Sequence, residues 1–301
     1  MTTSYLQRAG GMVDFPLGWQ WNAEAKIAIF FGLIAALLLA VAYFKGFFNL
    51  PKENEEPPLN LLHVLFGFLV YLGLAILISE IDHLWIRPTD DISSKISIVG
   101  LMNFFNQSAC LLVFFLFFKF AQPKTGRYIW KTGTFPYKFD IVIGLATWII
   151  AFPLVIFFNE AFEILLEVVF HVRELPEQTA IQYVKMAMEE PGNLVMAIFS
   201  IVVLVPIVEE FLFRGLLQSW FKKWLGPKAA ILVSSLCFSL FHFSGAQGVS
   251  NFSILASLFI LALFLGFIYE RQRSLITPIT LHSIFNLISI INLIFLKESA
   301  I

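Results

Sequence analysis

Long apolar runs broken by short polar stretches dominate the pattern of this chain. A membrane span needs about 20 predominantly apolar residues, and the pattern predicts eight, at 25–44, 59–79, 96–118, 139–158, 193–213, 229–245, 252–269 and 275–296. The segment 159–191 holds Glu160, Glu163, Glu167, Glu174, Glu177, Glu189 and Glu190. It is too polar to cross a membrane and reads as a surface helix and loop. The expected fold is therefore all-α, a polytopic membrane bundle of about eight transmembrane helices. Spans 1–4 and the polar segment make up an N-terminal part, 1–192, and spans 5–8 a C-terminal part, 193–301.

Composition agrees with this pattern. The chain is 58% hydrophobic, carries 35 Phe and has only 14% charged residues, with a mean hydropathy of +0.81. Soluble domains average about 45–50% apolar residues. A formal net charge of -1 gives no sign of nucleic-acid binding, so the basic residues report on topology instead. The odd-numbered loops hold Lys45, Lys52, Lys119, Lys124, Arg127, Lys131, Lys138, Lys222, Lys223, Lys228, Arg271 and Arg273, 12 basic residues against 7 on the other side. The positive-inside rule then puts those loops in the cytoplasm and both termini outside. Cys110 and Cys237 lie in predicted spans without metal or redox spacing and read as packing residues. Trp19 and Trp21 precede the first span, and no cleavage-type signal sequence is expected there.

Against this apolar background, three spans each carry a polar stripe. In the fifth, Glu210 and Arg214 are four apart and share a helix face, while Glu209 is turned away from Glu210 by about 100°. Phe238 and His242 repeat the spacing in the sixth span, His282 and Asn286 in the eighth. Glu209 lies 17 residues before Gly226 and His242 lies 16 after it. In a hairpin turning at Gly226-Pro227, both side chains would stand about 24 Å from the turn. Trp220, Trp224 and the neighbouring lysines read as an interfacial anchor at that end, about 16 Å from Glu209. His282 is 9 residues beyond Arg273, a depth of about 14 Å. The three stripes are thus expected to meet in one cavity. Charged groups in a membrane cost at least about 2.5 kcal/mol each, so such a cluster reads as functional. A glutamate beside a histidine deprotonates water, and histidine and asparagine donate to an oxyanion, so the set suits hydrolysis.

These three ordered motifs resemble those of the CPBP intramembrane proteases, a family that includes the type II CAAX prenyl endopeptidases and abortive-infection or bacteriocin-processing membrane proteins. The family's Glu-Glu-x-x-x-Arg is matched by Glu209, Glu210 and Arg214, its Phe-x-x-x-His by Phe238 and His242, and its His-x-x-x-Asn by His282 and Asn286. The resemblance runs from Asn193 to about Ser289, and one departure falls in a loop: Gln272-Arg273-Ser274 stands where the family often has Thr-Gly-Ser. The resemblance implies an intramembrane endopeptidase with Glu209 as general base and His242 as its partner. His282 and Asn286 would be oxyanion donors, Glu210 and Arg214 a supporting pair, and Phe238 a packing residue that positions His242. The implied partners are a membrane-associated peptide or protein substrate and the lipid bilayer, without nucleic acid. The chain's size and loops suggest a bacterial cytoplasmic membrane, and the loop charges place the cavity toward the cytoplasm.

Alternatives accompany each reading. No cofactor is expected, since no His-Glu-x-x-His helix occurs; zinc on Glu209, His242 and His282 is the less favoured option. Glu210 with Arg214 also fits a buried ion pair that only fixes helix register. Asn103, Asn106 and Gln107 form a further stripe in span three, read as interhelical hydrogen bonding in preference to substrate binding. His63, His83 and His171 fall near span ends and read as interfacial. At the level of the whole protein, the alternatives are a non-proteolytic scaffold or immunity protein of the same fold and a proton-coupled transporter.

Overall fold

The computed structural model describes residues 23–51, 56–85, 92–172, 175–176 and 178–298. Trp19, Trp21, Lys52, Glu174 and Glu177 lie outside the described residues, as does the side chain of His83. The helices are α1 (Ala23–Phe44), α2 (Leu61–Trp85), α3 (Ile92–Leu116), α4 (Pro123–Trp130), α5 (Tyr137–Phe170), α6 (Thr179–Ala187), α7 (Pro191–Phe199), α8 (Val205–Glu210), α9 (Ser219–Phe241), α10 (Asn251–Gln272) and α11 (Ile276–Glu298). Of three π-helical stretches, Ser200–Leu204 and Phe211–Gln218 continue the helical path, whereas Phe117–Ala121 ends the run of α3 at Gln122, φ -131° and ψ 56°.

Among the described residues seven helical stretches are long and apolar enough to cross a membrane, and one of them, Pro191–Phe241, runs for 51 residues. As a straight rod it would be about 76 Å long, against a hydrocarbon core of about 30 Å. It does not run straight. Gly226 has φ 72° and ψ 171°, a conformation open to glycine because it has no Cβ, and Pro227 restarts the helix where its missing N–H costs nothing. The second half folds back on the first. The Ser234 hydroxyl donates to the Phe213 carbonyl at 3.1 Å, and the Phe213 and Phe238 rings meet edge-on at 5.1 Å. This hairpin supplies the fifth and sixth predicted crossings, which accounts for eight crossings on seven stretches.

Two expectations are corrected. The fourth span does not end at 158: α5 continues to Phe170, so Glu160, Glu163 and Glu167 extend a membrane helix instead of forming a separate surface one. The continuation keeps good helix formers and a side-chain bond from Asn159 to Glu163 at 3.0 Å. It stops at His171, whose φ of 56° is a left-handed cap. The second correction concerns the anchor. Trp224 is exposed, but Lys222 is buried and pairs with Glu270 at 2.6 Å, because an unpaired ammonium inside the bundle is costlier than a paired one.

Helix α5 packs against α1, α10 and α11, around a core of Ala151, Val155, Leu261, Leu265, Ile268 and Leu281. A second core, rich in phenylalanine, joins α2 and α3 to the hairpin through Phe114, Phe118, Phe211, Phe213 and Phe238. The polar groups of α8 lie between the two cores. At one end of the bundle the backbone carbonyl of Arg273 accepts from the N–H groups of Thr132 and Gly133 at 2.9 and 3.0 Å, and Leu275 N–H donates to Trp130 at 3.0 Å. Arg273 itself has φ 49°. Arg273 therefore holds a side chain in the left-handed region, which is strained for residues other than glycine, and these bonds keep it there.

The closest approach of α5 to α11 depends on Gly144. A Cβ there would fall 2.7 Å from Thr280 Cβ and 2.8 Å from the Thr277 carbonyl oxygen. Gly144→Val is expected to destabilise the protein by about 1–3 kcal/mol, read as a lowered thermal midpoint in detergent; an unchanged midpoint contradicts this packing.

Candidate active site

Glu209 and Glu210 end α8, a six-residue helix bracketed by two of the π-helical stretches. Such widened turns re-aim the side chains that follow and recur at functional sites. Glu210 and Arg214 are both fully buried and pair at 3.0 Å. Arg214 also donates from Nη2 to the Ala262 carbonyl at 3.2 Å, and its guanidinium lies over the Phe238 ring at 4.4 Å from the centroid. One cation thus ties α8 to α9 and α10.

His282 reaches the same carboxylate from α11. Its Nδ1 is 2.9 Å from Glu210 Oε1, and because a carboxylate accepts, Nδ1–H is the donor. Its Nε2 faces the other acid, 3.8 Å from Glu209 Oε2. His242 ends α9 in the bridge region, φ -89° and ψ 4°. Its Nδ1 lies 2.8 Å from the Phe238 carbonyl oxygen, so there too Nδ1–H donates and Nε2 is turned inward. That Nε2 is 3.8 Å from Glu209 Oε1. Glu209 accordingly sits between two imidazole Nε2 atoms at equal distances, each longer than a direct hydrogen bond. Its side chain is 9% exposed and that of His242 is 23% exposed, while Glu210 is sealed.

Phe238 is fully buried and stands 4.7 Å from His242 and 5.9 Å from His282, ring centre to ring centre. It packs against both imidazoles. Asn286 lies one turn beyond His282, and its amide nitrogen donates to the Ile201 carbonyl at 2.9 Å. This bond ties α11 to the π-helical stretch before α8 and leaves one amide N–H for another acceptor. The three stripes therefore meet as their matched depths predict. Glu209 is in ionic range of both His242 and His282, and His282 also of Glu210. Among the described residues, no group of three or more His, Cys, Asp or Glu side chains is set to hold a metal ion.

One neighbour escaped the motif search. Tyr71 of α2 lies within electrostatic range of the Glu209 carboxylate, and its hydroxyl interacts with the Gln107 side chain of α3. Tyr71 belongs to no motif, so nothing in the sequence marked it. Of the α3 stripe, Asn106 and Gln107 are buried; the Gln107–Tyr71 contact joins α3 to α2, while Asn106 Oδ1 and Gln107 Oε1 have no hydrogen-bond partner.

The Arg214 arrangement predicts a stability effect. Arg214→Ala leaves Glu210 buried without its cation, and the loss is expected to be about 3–5 kcal/mol. Arg214→Lys is expected to recover only part of it, since one ammonium cannot span Glu210, Ala262 and the Phe238 face together. Thermal denaturation in detergent checks both, and a wild-type midpoint for Arg214→Ala contradicts the role.

Comparison with known proteins adds one match. Residues 191–288 fit the family described as type II CAAX prenyl endopeptidase Rce1-like, and no curated protein or solved structure matches the chain. The fit spans about a third of the 301 residues and contains all seven motif residues, from Glu209 to Asn286. This is an integral membrane protein whose C-terminal helical core resembles the type II CAAX prenyl endopeptidase Rce1-like family.

Proposed function

We propose that the protein is an intramembrane endopeptidase that hydrolyses a peptide bond of a membrane-associated protein or peptide with water activated by Glu209 and His242. The observation that carries this reading is the position of Glu209, 3.8 Å from each of two imidazole Nε2 atoms. A gap of that length suits a bridging water, which hydrogen-bonds at about 2.8 Å to each side. With Nδ1–H of His242 committed to Phe238, neutral Nε2 accepts, and so does ionised Glu209. A water between them donates both of its protons and presents its oxygen lone pair to a carbonyl carbon.

In the attack, Glu209 takes one proton from that water as the oxygen bonds to the carbonyl carbon, and the carbonyl oxygen becomes an oxyanion. His282, held by Glu210 through Nδ1–H, donates from Nε2 when that nitrogen carries a proton. The second N–H of Asn286 is the other candidate donor. The proton on Glu209 then passes to the amide nitrogen as the carbon–nitrogen bond breaks, leaving an acid and an amine. No step is assigned to a metal. Glu210 and Arg214 act on this chemistry by fixing where His282 and Glu209 stand, and the cavity is proposed to open toward the cytoplasm.

Glu209→Gln is expected to lower cleavage of a reporter membrane protein by at least about 100-fold, with the melting temperature preserved; retained activity overturns the assigned base. Comparing membrane proteomes of cells carrying wild-type and Glu209→Gln protein identifies the substrate as the species that accumulates uncut. Incubation with a strong zinc chelator is expected to leave activity intact. Loss of activity that added zinc restores contradicts the metal-free mechanism.

A further inference from the structure

A ladder of polar contacts runs from the active site toward the hairpin turn. Arg214, Gln218 and Lys222 follow Glu210 at steps of four, and on α10 they meet Ala262, Gly266 and Glu270, which are also four apart. Arg214 Nη2 donates to the Ala262 carbonyl at 3.2 Å. The Gln218 amide nitrogen donates to the Gly266 carbonyl at 3.0 Å and to Glu270 Oε1 at 3.2 Å, and Lys222 Nζ donates to Glu270 Oε2 at 2.6 Å. Successive donors thus engage successive turns of α10, which sets both the rotation and the height of one helix against the other.

Stability alone does not account for the middle rung. Gln218 is fully buried, and its Oε1 has no hydrogen-bond partner. A buried acceptor without a donor is destabilising, so a leucine would fill the same place and leave no orphan. Gly266 makes room for the amide, because a Cβ there would fall 2.6 Å from Gln218 Oε1. What the amide adds is register. Gln218 ends the π-helical stretch Phe211–Gln218. Were that stretch to relax by one residue to α-helical bonding, Glu209 and Glu210 on one side would turn by about 100° against Lys222 on the other. The Ser219 hydroxyl donates to the Arg214 carbonyl, five residues back, at 3.1 Å. Together with the Gln218 amide it holds the widened turn from its far end.

The structure assigns Gln218 as a positioning residue: seated on Gly266 and Glu270, it holds the π-helical turn that aims Glu209 and keeps Glu210 within reach of His282 Nδ1. It extends the endopeptidase reading and rests on it. Gln218 reaches the reacting groups only through Arg214 and Glu210, so it acts on turnover and not on substrate binding.

The test compares the wild type with Gln218→Leu, Gly266→Ala and the doubly substituted protein, each full-length in nanodiscs. Measured are kcat and KM on the reporter membrane protein, the melting temperature, and the His282 Nδ1–H proton by NMR with isotope-labelled histidine, assigned by its loss in His282→Ala. Gln218→Leu is expected to lower kcat about 10- to 100-fold with KM changed less than about twofold. The melting temperature holds or rises, and the His282 resonance moves upfield as its bond to Glu210 weakens. Gly266→Ala displaces the amide and is expected to lower kcat similarly in the wild type, but by less than about twofold in the Gln218→Leu background. An unchanged kcat in Gln218→Leu overturns the assignment, as does a loss of kcat that a fallen melting temperature accompanies. So does Gly266→Ala acting equally in both backgrounds. The resonance needs no turnover: wild-type protein that cuts no reporter sinks the hydrolytic reading, and the positioning role is then upheld or overturned by whether the resonance moves in Gln218→Leu.

Discussion

The buried contact among Glu210, Arg214 and His282 is the constraint on which the rest of the site depends. A charged side chain at the centre of a membrane helix costs about 2.5–3.5 kcal/mol even on lenient scales. Here an acid and a base are both fully buried. They are tolerable together because each satisfies the other. Arg214 needs Glu210, the Ala262 carbonyl and the Phe238 ring at once, and Glu210 also receives the proton of His282 Nδ1. Four helices, α8 to α11, are fixed by a single electrostatic requirement.

Once those helices are fixed, the reactive group follows from helix geometry. Glu209 precedes Glu210 and is turned from it by about 100°, so anchoring one acid directs the other toward His242. The two acids then divide the work by exposure. Glu210 is closed off, while Glu209 and His242 keep a small exposed fraction, which the proposed water activation requires. The π-helical stretches on both sides of α8 belong to the same arrangement, since each widened turn adjusts the aim of what comes after it.

Much of this was legible in the sequence because membrane helices obey few rules and obey them strictly. Apolar length fixed the crossings, and the i, i+4 spacing put Glu210 beside Arg214. Equal distances from Gly226 placed Glu209 and His242 at one depth. What stayed hidden depends on contacts between distant segments. Lys222 looked like an interfacial lysine because its partner, Glu270, is 48 residues away. Helix α5 ran past its expected end because three glutamates do not stop a helix that nothing caps before His171. Tyr71 carried no signal, since one tyrosine in an apolar span looks like packing until α8 is seen beside it. Asn106 and Gln107 were visible as a stripe, but their missing partners appear only in three dimensions.

Cleavage of a reporter membrane protein by Glu209→Gln, His242→Ala and the doubly substituted protein tests the account most directly. Groups that act as one unit on one water lose nearly everything at the first substitution. The account therefore predicts that the double variant is no slower than the slower single one. Effects that multiply, with the double variant slower by the product of the two single losses, would contradict a shared role for Glu209 and His242.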